Sequence, residues 1–103
     1  YKVYVVLKGA YSVICTPLGK CFFNPTGNPG MATGGSGDVL TGMITSLLAQ
    51  HYSALDACMA GVYLHGLAGD IAAENLGENS LNAGDIIDYL PDAFQDAMIP
   101  EHN

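Results

Sequence analysis

An α/β fold, with strands and a hairpin followed by three helices, is what this sequence predicts. Three observations carry it. Residues 3–7, VYVVL, are β-branched and aromatic with almost no polar interruption. Two more short runs of the same kind flank a turn containing Pro17 and Gly19. From Asp38 onward, apolar residues recur at helical rather than strand spacing. Strands first, then helices laid on a mostly apolar sheet, define the class.

Taken in order, VYVVL reads as a strand buried on both faces. Lys8-Gly9-Ala10 breaks it, and YSVIC (11–15) resumes as a second strand. The turn Thr16–Lys20 leads into a short CFF strand, making an antiparallel hairpin. An irregular segment rich in Gly, Pro, Asn and Thr runs from Asn24 to Gly37. Val39, Leu40, Met43, Ile44, Leu47 and Leu48 then fall on one face at a 3.6-residue period, with Asp38 as first helical residue and Gly42 marking close packing. His51 and Tyr52 end that helix. Ser53-Ala54-Leu55-Asp56 fits a capping box opening a second helix that stops near Gly77. Its small residues Ala57, Gly61, Ala68 and Ala72 suit tight packing on a neighbour. A third helical region begins near Asn82 or Asp85, with Ile86, Ile87 and Leu90 as its apolar side and Pro91 interrupting or restarting it. The tail IPEHN carries no signal. Two or three strands under three helices leave open sheet edges, which predicts a homo-oligomer.

The chain has 103 residues, half of them hydrophobic, enough for one small core. It starts at Tyr1, already within a strand pattern, so the expectation is a piece of a longer chain. No apolar run approaches the roughly 20 residues of a membrane span, and Asn24-Pro25-Thr26 is blocked as a glycosylation site by its proline. The chain reads as a soluble, cytoplasmic protein with no membrane partner. Ten acidic residues against three lysines and no arginine give a net charge of −7, which excludes a nucleic-acid groove built from basic side chains. Cys15, Cys21 and Cys58 match no C-x-x-C spacing; they read as small buried hydrophobes in a reducing compartment rather than as a nucleophile or metal ligands.

The same shortage of cations shapes any phosphate chemistry. The chain fits neither standard phosphate motif: Gly19-Lys20 is followed by Cys21 where a P-loop needs Ser or Thr, and in the stretch NPGMATGGSGDVLTG (28–42) Leu40 stands where a dinucleotide fingerprint needs its third glycine. What remains is a glycine bend feeding a helix N-terminus. The main chain of Gly34, Gly35, Ser36 and Gly37 makes a candidate anion hole, since a nest of amides and a helix dipole together attract negative charge. Asp38 is stabilised there by the dipole alone, yet a carboxylate beside an anion hole repels the ligand. A catalytic base explains that placement: Asp38 takes a proton from a substrate hydroxyl while the bend stabilises a phosphoryl group. Such a base contributes about 10²–10⁴-fold, and each oxyanion donor about 3 kcal/mol.

GMATGGSGDVLTG resembles the glycine-rich signature of the ribokinase-like superfamily, whose core is G-[AS]-G-D. The longer NPTGNPGMATGGSGDVLTGMI, with VLKGAYS and GVYLHGLAGDIAA, is similar to one branch of it, the ADP/ATP-dependent NAD(P)H-hydrate dehydratases. The resemblance implies that residues 1–103 are the C-terminal fragment of a single ribokinase-like α/β/α nucleotide-binding domain, inactive in isolation. It implies dehydration of NAD(P)HX to NAD(P)H, with ADP or ATP phosphorylating the added hydroxyl, which then leaves as phosphate. Lys8, Gly9, Ala10, Tyr11, Ser12 and Gly37 match nucleotide contacts, and Asp38 matches the residue that meets the hydrated nicotinamide and acts as base. Mg²⁺ is expected with the nucleotide, though no ligand cluster for it is visible. The alternatives are a ribokinase-like kinase for a sugar or vitamin precursor, which would release a stable phosphate ester, and a non-catalytic nucleotide-binding module. Elsewhere, His65 reads as a packed histidine and Asp70 as a cap or salt-link. Asp85, Asp88, Asp92 and Asp96 read as a solvated face, and Thr33 and Ser36 as donors either to phosphate or to their own loop.

Overall fold

Strand formation before residue 25 and helix formation after residue 35 divide the chain, with the glycine-rich segment joining them. The computed structural model describes residues 4–8 and 12–97, with Leu7 and Lys8 through their backbone. Strands β1 (Val5–Lys8), β2 (Ser12–Cys15) and β3 (Cys21–Asn24) form an antiparallel sheet in the order β1-β2-β3. The predicted turn is present: Thr16 N–H donates to Lys20 O at 2.7 Å and Gly19 N–H to Thr16 O at 3.0 Å. Gly19 has φ +89°, a backbone geometry open to glycine without steric cost.

Two expectations for the sheet are corrected. β1 was expected to be buried on both faces, but Val5 is 42% exposed, while Val6 packs against the core. β1 lies at one end of the sheet, so no described element covers its outer side. Cys15 and Cys21, expected to be buried free thiols, are joined in a disulfide. They are directly opposed in the β2–β3 register, which brings their side chains together on one face. Only Cys58 matches its expected state, a buried free cysteine whose thiol pKa is pushed up by burial.

Helix α1 (Ser36–Ala49) starts two residues before Asp38, the expected first helical residue, because Gly35, at φ +87°, turns the chain into it. Helix α2 (Ala54–Leu76) opens on the expected cap Ser53, whose hydroxyl accepts the Asp56 N–H at 3.1 Å, and ends at Gly77. The return bond of the expected capping box, from the Ser53 N–H to Asp56, is not formed. The reciprocal capping box is found one helix later: Asp85 N–H donates to Asn82 Oδ1 at 2.9 Å, and Asn82 N–H to Asp85 Oδ2 at 3.0 Å. The third helical region is two helices, α3 (Ala83–Asp88) and α4 (Leu90–Ala97). Pro91 restarts the chain in the first turn of α4, where its missing N–H has no helical partner to lose.

Helix α2 lies between two apolar clusters. On one side Cys58 and Val62 meet Ile14 of β2 and Leu40 of α1; on the other Leu64, Ala68 and Ala72 meet Met31, Leu81, Ile86 and Ala93. Gly61 lets α1 approach: a Cβ there would lie 2.7 Å from Ile44 Cγ1. Gly42 was expected to serve the same purpose and does not, since a Cβ there would meet nothing within 4 Å. Among the described residues, no helix is long and apolar enough to cross a membrane.

Candidate active site

The glycine-rich segment is held open by its attachment to α2. Asn24, buried at the end of β3, donates through Nδ2 to Thr26 Oγ1 at 2.8 Å and to Val62 O at 3.4 Å. Thr26 Oγ1 donates to Tyr63 O at 3.2 Å. A Cβ at Gly66 would lie 2.8 Å from the Thr26 carbonyl carbon, and one at Gly69 would lie 2.7 Å from Met31 Cγ. Two glycines one helical turn apart therefore give α2 a recess that receives the loop. Met31 fills it as part of the second core cluster.

The chain between Thr33 and Gly37 then forms the bend. Ser36 N–H donates to Thr33 O at 3.2 Å, and Val39 N–H closes the first helical bond onto Gly35 O at 3.1 Å. The amides of Gly34, Gly35, Gly37 and Asp38 have no acceptor among the described residues, as the opening turn of a helix requires. They carry the positive end of the α1 dipole. The Ser36 side chain turns inward: Oγ lies 3.3 Å from His65 Nε2, which is also 3.1 Å from Ser36 O. Because a carbonyl can only accept, Nε2 carries the proton and donates to it. His65 is 3% exposed and anchors the start of α1 to α2, in keeping with the packed histidine predicted from sequence.

This bend forms one wall of a cavity of about 530 Å³, with Ser12 at the sheet end, Gly27 and Asn28 on the loop, and His65 and Gly66 on α2. Of the expected site residues, Ser12, Gly34, Ser36 and Gly37 all line it. Lys8 stands opposite Ser12 in the β1–β2 register, while Gly9, Ala10 and Tyr11 lie outside the described residues. Asp38 is exposed in the first turn of α1, beside Gly37 rather than on the cavity wall. Thr33 lines the cavity and has its backbone N–H bonded to Met31 O at 2.8 Å.

Asp70 has a larger role here than the sequence suggested. Its carboxylate accepts the Gly27 N–H and the Asn28 side-chain amide, each at 2.9 Å. Asn28-Pro29 is a legible cap for the short helical turn Pro29–Met31, since Asn accepts from the backbone two residues on and Pro suits the first position. Nothing in the spacing of the sequence signals that cap's bond to Asp70.

A small antiparallel sheet joined by a glycine-rich segment to a layer of helices, with a glycine bend at the N-terminus of the first of them, places the chain among α/β domains. The sequence profile described as NAD(P)H-hydrate dehydratase matches residues 1–92, and the chain belongs to that family. It is 52% identical over 94 residues to a bifunctional NAD(P)H-hydrate repair enzyme of Thermofilum pendens, covering 91% of this chain and 18% of that one. It is 42% identical over 87 residues to an ADP-dependent (S)-NAD(P)H-hydrate dehydratase of Bacillus subtilis, covering 84% of this chain and 32% of that one. The crystal structure of a Bacillus subtilis ADP/ATP-dependent NAD(P)H-hydrate dehydratase, co-crystallized with ATP/Mg²⁺, superposes with a TM-score of 0.85 at 40% identity, covering 90% of this chain and 34% of that one. The chain thus spans at most about a third of these relatives and shares the α/β fold of the matched part.

Proposed function

We propose that these residues supply the nucleotide and phosphate portion of an enzyme that dehydrates NAD(P)HX to NAD(P)H at the expense of ADP or ATP. The observation that carries the reading is the open bend: the amides of Gly34, Gly35, Gly37 and Asp38 have no acceptor among the described residues, and Gly34 and Gly37 line the cavity immediately before the Asp38 carboxylate. Family membership and the names of the Bacillus relatives support the choice of substrate and donor.

In this reading the nucleotide lies along Lys8–Ser12 and Gly37, with its phosphates at the bend. Asp38 accepts the proton of the substrate hydroxyl as that oxygen attacks the terminal phosphorus, and the amides stabilise charge on the phosphoryl oxygens as the nucleotide leaves. The hydroxyl, a poor leaving group, becomes a phosphate ester. The C–O bond then breaks, phosphate departs, and the nicotinamide ring regains its double bond with loss of a ring proton. Magnesium bound with the nucleotide would neutralise phosphate charge. Among the described residues no group of three or more His, Cys, Asp or Glu fits a metal ion, which suits an ion carried chiefly by the nucleotide's phosphates. We also read the protein as a homo-oligomer, on the apolar surface left open at β3, where Phe23 is 63% exposed.

The test uses the intact enzyme carrying this sequence, ADP or ATP, and NADHX. Return of NADH absorbance is expected, and accumulation of a stable phosphate ester instead would replace this reading with a small-molecule kinase. Asp38→Asn is expected to lower kcat by about 10²–10⁴-fold with nucleotide binding retained. Full turnover in that variant would remove Asp38 from the chemistry.

A further inference from the structure

The Asp70 carboxylate sits on α2, yet both of its bonds go to the loop. Oδ2 accepts the Gly27 N–H and Oδ1 accepts Asn28 Nδ2, each at 2.9 Å. Asn28 passes the constraint on, because its Oδ1 accepts the Gly30 N–H at 3.0 Å and caps the turn Pro29–Met31. Gly27 has φ +114° and Gly30 abuts the backbone of Glu78, so the chain cannot slide without breaking this sequence of bonds. The polarity is set throughout: a carboxylate can only accept, so Asn28 must present its nitrogen to Asp70 and its oxygen to Gly30. Gly27 and Asn28 line the same cavity as Gly34 and Gly37, and only residues 31–33 separate this pinned stretch from the bend.

We infer that Asp70 is a positioning residue for the nucleotide site: it fixes residues 27–30 and, through them, the bend whose amides receive phosphate. It touches no substrate itself. What is bound there rests on the dehydratase reading; the geometry of the loop does not. Losing a hydrogen bond to a charged group within the loop's anchor loosens the site rather than removing a reacting group, so affinity suffers before chemistry does.

The bonding scheme provides its own control. In Asp70→Asn the new amide nitrogen confronts Asn28 Nδ2, donor against donor. In Asn28→Asp two carboxylates confront each other. With both exchanged, position 70 keeps an oxygen for the Gly27 N–H and gives its own N–H to the carboxylate at position 28. That carboxylate's second oxygen keeps the Gly30 N–H, so all three bonds are remade and only the one between positions 70 and 28 reverses direction. In the intact enzyme, each single variant is expected to raise the ATP Kd, read by calorimetry, and the KM for ATP roughly tenfold. kcat should stay within about twofold, and the double exchange should recover ATP affinity to within about threefold of the starting enzyme. Singles that bind ATP normally would overturn the inference. So would a double exchange that regains thermal stability without regaining affinity, or a fall in kcat at constant KM. A single variant that does not fold leaves the double exchange to decide. The two readings fail separately: an unsubstituted enzyme that binds ATP but returns no NADH sinks the dehydratase assignment, while the Kd series still judges Asp70.

Discussion

Gly66 and Gly42 are both helical glycines with opposite surroundings, and the difference fixes what a methyl group would do at each. At Gly66 the new carbon would lie 2.8 Å from the Thr26 backbone, which cannot rotate away as a side-chain tip would. Gly66→Ala must therefore push the loop off α2, at a cost of about 1–3 kcal/mol in overpacking. Thr26 starts the segment that lines the cavity, so nucleotide affinity should fall with stability. At Gly42 a Cβ meets nothing within 4 Å on an exposed helix face. Gly42→Ala should raise stability by up to about 1 kcal/mol by removing backbone freedom from the unfolded chain. Urea denaturation of both variants checks the pair. If they move stability in the same direction, the packing of loop on helix described above is wrong.

Elements show which parts of the architecture could be read before the fold was known. The hairpin was legible because Pro17 and Gly19 mark its turn, and α2 because Ser53 caps it and Gly77 stops it. Each signal lies within a few residues of its effect. The starting point of α1 was less legible: Ser36 and Gly37 carry no apolar period, and the left-handed Gly35 before them sets the start. The Asp70 bonds were not legible, since Asp70 and Asn28 are 42 residues apart and only the packing of the loop on α2 joins them. The Cys15–Cys21 pairing is an intermediate case. Both residues flank the predicted turn at equal offset, so the register that makes them neighbours was available, and reading three cysteines as an unpaired odd set hid it. That bond closes a short loop, which favours the hairpin by about 2 kcal/mol through the unfolded chain. Replacing Cys15 and Cys21 together with serine should lower the thermal midpoint without reductant. Dithiothreitol should lower the midpoint of the unsubstituted protein and leave that of the double variant where it was. An unsubstituted protein insensitive to reductant would show that the hairpin needs no covalent link.

At the scale of the whole molecule, the apolar surface is unevenly disposed. The cavity is lined mostly by glycine, asparagine, serine and threonine, with Pro29, Met31, Ala32 and Val62 among them, whereas Phe23, Met59 and Tyr63 are exposed around another hollow that Ile14 and Phe22 also line. Among the described residues β3 is also an end strand of the sheet, and no described strand pairs with its outer backbone groups. With a net charge of −7 and ten acidic residues, long-range repulsion opposes random aggregation, so contact between copies should be confined to this uncharged face. The prediction is association that strengthens with salt, as screening removes the repulsion and leaves apolar burial in place. Light scattering of the 103-residue chain in about 50 mM and about 500 mM salt should show mass rising with ionic strength. Phe23→Lys should hold it at monomer mass in both, because a cation on the strand edge blocks both the apolar contact and the pairing. Phe23 lies outside the cavity that holds the glycine bend, so nucleotide affinity should be unchanged in that variant. A protein that is monomeric at every salt concentration, or an assembly untouched by Phe23→Lys, would show that this face has no role in joining copies.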